Sequence, residues 1–306
     1  MKTNMIYQGE AFDVLKQFPN QSINTCVTSP PYWGLRNYNV EDQLGLEDTP
    51  EEYVERLTEI FHEVKRVLKD DGTFWLNLGD SYNGSGGAGG DYNEGGLKEG
   101  QRKYPGRNVD NLKPKDLVGI PWRIAFALQD DGWYLRNDII WHKPNPMPES
   151  VTDRCTTSHE HIFLLSKSKQ YHYNQDAIRE PHKTKNELES RDDLDNKGEH
   201  GGTRSDLARS RDEYYHKEGR NKRDVWQVTT QPFPEAHFAV YPPDLIRPCV
   251  KAGCPEDGVV LDPFFGAGTT GLVAKEQGKD YIGIELNKDY IEMAKDRIKE
   301  VQKELL

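Results

Sequence analysis

Ser29, Pro30, Pro31 and Tyr32, preceded by Thr28, follow a short apolar, β-branched run over 23–27. A run halted by two prolines reads as a buried strand that stops abruptly, because Pro31 cannot continue a hydrogen-bonded ladder. Each residue before a proline is pushed towards extended geometry, so Ser29 and Pro30 form a stiff turn. Open α/β sheets place ligands at such carboxyl ends of strands. The Ser29 hydroxyl and the Pro30 carbonyl are two hydrogen-bond acceptors, and the Tyr32 ring is a flat wall beside them. That set suits a planar ring held by its exocyclic amine. The same residues also read as a proline-terminated strand with an aromatic cap.

A second stretch decides between the two. Val259-Val260-Leu261-Asp262-Pro263-Phe264-Phe265-Gly266-Ala267-Gly268-Thr269-Thr270 reads as a buried strand, a glycine turn and a helix start. Gly266 and Gly268 let the backbone approach a ligand closely, and the helix amino terminus behind them favours a negative group such as a carboxylate. Tyr281-Ile282-Gly283-Ile284-Glu285 is then a strand ending in an acid, a spacing that suits a carboxylate bonded to ribose hydroxyls. The turn holds only G-x-G, which alone is a weak dinucleotide signal. Together, Ser29-Pro30-Pro31-Tyr32-Trp33 early and Asp262 to Thr270 late resemble the β group of DNA amino-methyltransferases, in which the catalytic tetrapeptide precedes the glycine loop.

The resemblance covers most of the chain and implies an α/β, Rossmann-like class I methyltransferase fold. Its sheet would be mixed and mostly parallel, circularly permuted, with inserts. Ser29, Pro30, Pro31 and Tyr32 are then catalytic. Glu10, Asp262, Phe264, Gly266, Gly268, Thr269, Thr270 and Glu285 would bind S-adenosyl-L-methionine, which leaves as S-adenosyl-L-homocysteine, with no metal. Glu10 stands at the end of the first strand, where the family more often has Asp. Trp141, Lys143 and Asn145 fall in a W-x-K-P-N-P-x-P segment that the family places beside the target base. With Trp33 and Asp80 they are expected at the pocket rim, although Asp80 in Gly79-Asp80-Ser81 also reads as a turn cap.

An exocyclic amine is a poor nucleophile because its lone pair is conjugated into the ring. Two acceptors pulling on its N–H bonds would draw the nitrogen towards tetrahedral geometry and free that pair. Serine before Pro-Pro-Tyr is commoner among the family's cytosine-N4 enzymes and aspartate among its adenine-N6 enzymes, so cytosine is favoured and adenine kept open. Methylation of cytosine carbon needs a cysteine nucleophile, and Tyr32 follows the prolines instead. A protein-glutamine methyltransferase usually carries asparagine before the prolines and the glycine loop first. A non-enzymatic DNA-associated protein would have a broken site, and none is visible.

The elements that must position these groups can be read around them. A strand over 5–7 leads to a helix over 11–18. A helix opened by Thr49-Pro50-Glu51-Glu52 runs to about Leu68 with Val54, Leu57, Phe61, Val64 and Leu68 on one stripe, and Asp71-Gly72 closes it. A strand over 73–78 and a helix over 121–129 follow. Strands over 134–141 and 160–165 are expected as an antiparallel pair at the sheet's edge. Helices over 243–251 and 288–305 complete the set, the last with Tyr290, Ile291, Ala294 and Ile298 at helical spacing. Joining that helix to the first strand would restore a cofactor-first order.

With 306 residues the chain can bury a large core. Its net charge of −11 argues against nonspecific nucleic-acid binding unless basic residues cluster on one face. Cys26, Cys155, Cys249 and Cys254 form no C-x-x-C pair, so neither a zinc site nor a disulfide framework is indicated. No apolar run approaches the ~20 residues of a membrane span, and no signal peptide pattern opens the sequence. A reducing, cytoplasmic setting of prokaryotic or phage type is expected, with no membrane partner.

Two stretches stand apart. Residues 83–116 are glycine-rich, then basic, with Lys98, Arg102, Lys103, Arg107, Lys113 and Lys115 among Tyr82, Tyr92 and Tyr104. Such a loop is a candidate to close over DNA, as Arg36 in the segment 34–38 is to reach a phosphate; a solvated insert is the alternative. Residues 179–223 hold twelve Lys or Arg, eleven Asp or Glu and three His, too polar to build a core. The expected division is a catalytic and cofactor domain over 1–178 and 224–306 with a DNA target-recognition insert over 179–223. A disordered insert or an oligomer contact is the other reading of that span. Double-stranded DNA is the expected partner. The resemblance admits a cognate restriction endonuclease and leaves the oligomeric state open.

Overall fold

The computed structural model describes residues 1–34, 43–84, 112–182, 219–231 and 240–304, the last five of these without side-chain placement. Arg36, the basic positions from Lys98 to Arg107, Tyr92, Tyr104, His237 and most of 179–223 lie outside the described residues. The chain forms two compact units, Met1–Tyr173 with Asp224–Leu306, and Asn174–Arg223.

The larger unit is built on one eight-stranded sheet. Its strands are β1 (Met5–Gln8), β2 (Ile23–Thr28), β3 (Leu68–Leu78), β4 (Tyr134–His142), β5 (His159–Ser166), β6 (Val225–Gln227), β7 (Val259–Asp262) and β8 (Asp280–Glu285), in the order β1-β8-β7-β2-β3-β5-β4-β6. Every neighbouring pair is parallel except β3 with β5 and β5 with β4. Described helices are α1 (Ala11–Leu15), α2 (Pro50–Val67), α3 (Ile120–Asp130), α4 (Pro243–Gly253), α5 (Thr269–Glu276) and α6 (Lys288–Glu304). All six residues of β2 are buried, as a central strand covered on both faces requires. The permutation is visible at the edge: β1, from the start of the chain, pairs with β8 in the register Met5↔Ile282 to Gln8↔Glu285. Thr3 Oγ1 and Asn4 Nδ2 reinforce that edge by donating to Asp280 at 2.8 and 2.6 Å.

Local chemistry accounts for the element ends. Thr49 caps α2 with a full capping box, its hydroxyl accepting from Glu52 N while the Glu52 carboxylate accepts from Thr49 N. Tyr53, Leu57, Ile60, Phe61, Val64 and Val67 form the buried stripe. The helix ends at Val67, one residue short of the expected Leu68, which is already extended and begins β3; Asp71-Gly72 lies within that strand. The β4–β5 pair is antiparallel as expected but does not form the sheet's edge. The three-residue β6 lies outside it, with Trp226 buried against that face.

Gly271 and Gly283 serve packing. A Cβ on Gly283 would lie 2.4 Å from Phe265 Cγ, and one on Gly271 would lie 2.6 Å from Phe265 Cζ. The Phe265 ring therefore fills space that two glycines leave open, stacked on Tyr281 at 5.7 Å. In the smaller unit, Glu180 and Arg220 exchange backbone hydrogen bonds at 2.9 and 2.8 Å, and the Glu180 carboxylate accepts from Arg223 at 3.1 Å. Among the described residues, no helix is long and apolar enough to cross a membrane.

Candidate active site

A cleft of about 590 Å³ opens along the carboxyl ends of β1, β2, β7 and β8. It collects Glu10, Ser29, Pro30, Pro31, Tyr32, Asp262, Phe264, Gly266, Thr269 and Glu285 from four segments of the chain, together with Trp141, Lys143 and Asn145 from a fifth. Thirteen of the seventeen residues expected from the sequence thus line one cavity.

The stretch from Ser29 to Tyr32 is held from behind. Tyr53, on the buried face of α2, donates its hydroxyl to the Pro31 carbonyl at 2.7 Å. Pro30 lines the cleft, and its carbonyl takes no hydrogen bond among the described residues, which leaves it a spare acceptor. Ser29 Oγ donates to the Tyr32 hydroxyl at 3.3 Å, which leaves its lone pairs available. Tyr32 donates in turn to Glu160 Oε2 at 2.7 Å. Burial, then the nearby Glu160 charge, pushes the Tyr32 phenol well above its ordinary value, so the ring stays neutral. Gly79 supports the ring: a Cβ there would stand 2.7 Å from Tyr32 Cε2.

Glu160 is the residue that sequence reasoning missed. Its other oxygen is ion-paired with Lys143, and Asn77 Nδ2 donates to Oε2 at 3.2 Å. Lys143 also lies 4.4 Å from the centroid of the Trp141 ring, whose indole N–H donates to the Val228 carbonyl at 2.8 Å. Asn145 exchanges two hydrogen bonds with Thr230, at 3.0 and 3.1 Å, and so ties the segment after β4 to the one after β6.

On the opposite wall Asp262 is fully enclosed. Oδ1 accepts from Thr28 Oγ1 at 2.5 Å and from Phe264 N at 3.0 Å. Oδ2 accepts from Thr270 Oγ1 at 2.6 Å and from Tyr241 at 3.2 Å. Burial pushes this carboxyl up, and the four donors pull it back. Glu285 accepts from Gly266 N at 2.7 Å and Asn287 N at 2.8 Å; burial raises its carboxyl while those amides oppose the rise. Glu285 lines the cleft, and with Leu286 N–H also contributing, these amides still leave its carboxylate acceptor capacity. Glu10 lines the cleft too and uses Oε2 to cap α1 through Asp13 N at 3.1 Å.

Four expected residues fall outside the cleft. Trp33 is buried and turned away, its indole donating to the Glu47 carbonyl at 3.0 Å. Asp80 accepts from Ser81, Gly119 and Ile120 N–H at 2.9 to 3.1 Å, so it closes the amino terminus of α3 rather than lining the pocket. Gly268 has φ of 78° and presses on α6, where a Cβ would meet Ala294 Cβ at 2.7 Å. Its glycine is needed for that helix contact and the left-handed turn, not for close approach to a ligand. Thr270 is spent on Asp262 and Tyr241.

A profile of the DNA methylase family matches residues 23–296. The Type II methyltransferase M.XycI of Xanthomonas campestris pv. cyanopsidis is 46% identical over 305 residues, spanning 97% of this chain and 88% of the relative. M.SmaI of Serratia marcescens is 45% identical over 299 residues, spanning 97% and 91%. Among solved structures, the PvuII DNA methyltransferase (cytosine-N4-specific) superposes with a TM-score of 0.65 at 18% identity, over 99% of this chain and 91% of that one. The M1.HpyAVI complex with S-adenosylmethionine superposes with a TM-score of 0.55 at 19% identity, over 96% and 98%. With its acceptors, its enclosed aspartate and its permuted sheet in one cleft, the chain belongs to the DNA methylase family of N6 and N4 amino-methyltransferases, S-adenosylmethionine-dependent enzymes that act on DNA.

Proposed function

We propose that the target is the N4 amine of cytosine in duplex DNA. The observation that carries this reading is the pairing of Ser29 with an unengaged Pro30 carbonyl on the cleft wall beside Tyr32. Serine, rather than aspartate, before Pro-Pro-Tyr is the form the family's N4 enzymes favour. The base leaves the stack at a cost of a few kcal/mol. Stacking on Tyr32, worth roughly 1–3 kcal/mol, offsets part of that. Ser29 and Pro30 then accept the two amine hydrogens and draw the nitrogen out of conjugation. Holding the reactants in line lowers the barrier by about 7 kcal/mol or more.

S-adenosylmethionine, when bound, supplies the methyl group and leaves as S-adenosylhomocysteine. The residues present fit it. Glu285 offers carboxylate lone pairs to ribose hydroxyls, and the turn at Gly266 leads into the amino terminus of α5, which suits the amino-acid carboxylate. Glu10 and Phe264 line the same wall for the adenine.

Nucleosides from DNA incubated with protein and cofactor, resolved by mass, test the target. N4-methyldeoxycytidine is expected; N6-methyldeoxyadenosine would replace the reading with its alternative, and no methylated nucleoside would overturn both. The insert over 179–223 reads the sequence in this proposal, and deleting 185–220 should remove site preference while cofactor binding persists. Its basic residues and those of 98–115 should make DNA affinity fall steeply with salt. The likeness to Type II methyltransferases supports a cytoplasmic setting beside a cognate restriction endonuclease as part of this proposal.

A further inference from the structure

The residues around Tyr32 form a directed chain of hydrogen bonds. Ser29 Oγ–H points to the Tyr32 oxygen, and Tyr32 O–H points to Glu160 Oε2. Tyr32 has one hydroxyl proton, and a carboxylate at 2.7 Å takes it in preference to Asn77 Oδ1 at 3.2 Å. Both donors along the chain therefore point towards the carboxylate of Glu160, which is part-buried on the same cleft. Methyl transfer creates a need for such a path. The amine lone pair forms the new nitrogen–carbon bond while the carbon–sulfur pair returns to sulfur, and the nitrogen is left cationic with a proton to lose. An aspartate beside the prolines could take that proton itself. A serine hydroxyl cannot keep one at neutral pH.

We propose that Glu160 is the terminal proton acceptor of the reaction, reached through Ser29 and Tyr32. The amine proton passes to Ser29 Oγ, the Ser29 proton to the Tyr32 oxygen, and the Tyr32 proton to Glu160 Oε2. The product amine is then neutral, both hydroxyls are restored, and the carboxyl carries the proton. Lys143 is paired to Oε1, which leaves Oε2 as the oxygen that takes the proton. The high proton affinity of the buried Tyr32 oxygen keeps the phenol neutral, so it passes a proton on without ionising. The 3.3 Å link between Ser29 and Tyr32 is long, as catalytic hydrogen bonds often are before the substrate is bound. Ser29 and Tyr32 touch the base and its proton. Glu160 acts through them.

This proposal rests on the reading of Ser29 and Tyr32 as the base pocket, and its test separates the two. Tyr32→Phe keeps the stacking ring and breaks the relay. Its single-turnover methylation should fall by about 10²-fold, the lower range for general acid–base catalysis. Cofactor affinity by calorimetry and base flipping, followed with pyrrolocytosine at the target position, should stay at wild-type values. Adding Ser29→Asp to Tyr32→Phe places a proton acceptor at the amine and should restore much of the rate. An unimpaired Tyr32→Phe, or one that Ser29→Asp fails to rescue, overturns the relay. In the first of those cases an impaired Tyr32→Ala would leave the pocket reading standing, whereas unimpaired Tyr32→Ala and Ser29→Ala would overturn the pocket itself. Glu160→Gln should reproduce the loss in turnover without a change in KM. If the glutamine strains Lys143 and the protein does not fold, the tyrosine variants alone decide.

Discussion

Asp262 should tolerate asparagine and reject alanine, and the difference can be worked from its four hydrogen bonds. In Asp262→Ala, the Thr270 and Tyr241 hydroxyls lie 2.5 Å apart and satisfy one another. The Phe264 N–H and the buried Thr28 hydroxyl lose their shared acceptor. Each orphaned donor costs about 1–3 kcal/mol, so the alanine variant should lose roughly 2–6 kcal/mol. In Asp262→Asn the amide oxygen can stay with Phe264 and Thr28. The new NH₂ faces two hydroxyl oxygens that can turn to accept from it. All contacts persist, and what disappears is their charge assistance, about 1 kcal/mol per bond, against which the relief of a buried charge works in the other direction. A net loss of roughly 1–2 kcal/mol follows. Urea unfolding followed by tryptophan fluorescence reads the two variants directly. Calorimetry with S-adenosylmethionine should show weakened binding in the alanine variant, since Phe264 and Tyr241 line the cleft. An alanine variant no less stable than the asparagine one would refute the reasoning, because the donors would have found other partners.

Four further outcomes are expected. Gly283→Ala drives a methyl into the Phe265 ring and should cost about 1–3 kcal/mol; thermal unfolding should show the cost shrinking in a Phe265→Leu background. Asp80→Ala should destabilise the protein through the exposed end of α3, while the methylation rate per folded molecule stays the same in single-turnover assays. Glu285→Ala should weaken S-adenosylmethionine binding by about 1.5–3 kcal/mol, a tenfold or greater rise in Kd by calorimetry. Hydrogen bonds from Asn4 and Thr3 hold the Asp280 carboxyl below its ordinary value. Its support is therefore present above the unfolded value and lost as pH falls through the lower folded one. Asp280→Asn should speed amide exchange in β1 relative to wild type at neutral pH, and the gap should close in acid.

β2, β7 and β8 were legible because each is a compact apolar run with a terminal signal, a proline just after β2 and β7 and an acid at the end of β8. Their carboxyl ends converge as the open-sheet rule requires. β6 was not legible as a strand, since Val225–Gln227 has no room to display a period of two. Asp80 shows a different limit. An acid after a glycine at a strand's end looks the same whether it faces a ligand or caps the next helix, and only the placement of Gly119 and Ile120 separates the two. Glu160 could not be read at all. Its partner Tyr32 is 128 residues away, and they meet only through the pairing of β5 with β3. Gly283 carried a signal that pointed elsewhere: a glycine inside a strand marks close approach, here by the Phe265 ring rather than by a ligand.

The register that lays β1 on β8, and β2 on β7, has a consequence for how the chain comes into being. Thr25 pairs with Val260 and Met5 with Ile282, so the neighbours on one side of β2 leave the ribosome long after β2 does. At about 5–20 residues per second, that delay is on the order of ten seconds to a minute. During it, the apolar strand that ends in the catalytic prolines has only β3 to pair with. Loop closure over such separations is slow, and an unfinished sheet edge invites pairing with other chains. The permuted order thus exposes the catalytic strand first and shields it last, which makes newly made copies a natural client for chaperones that hold nascent β-structure.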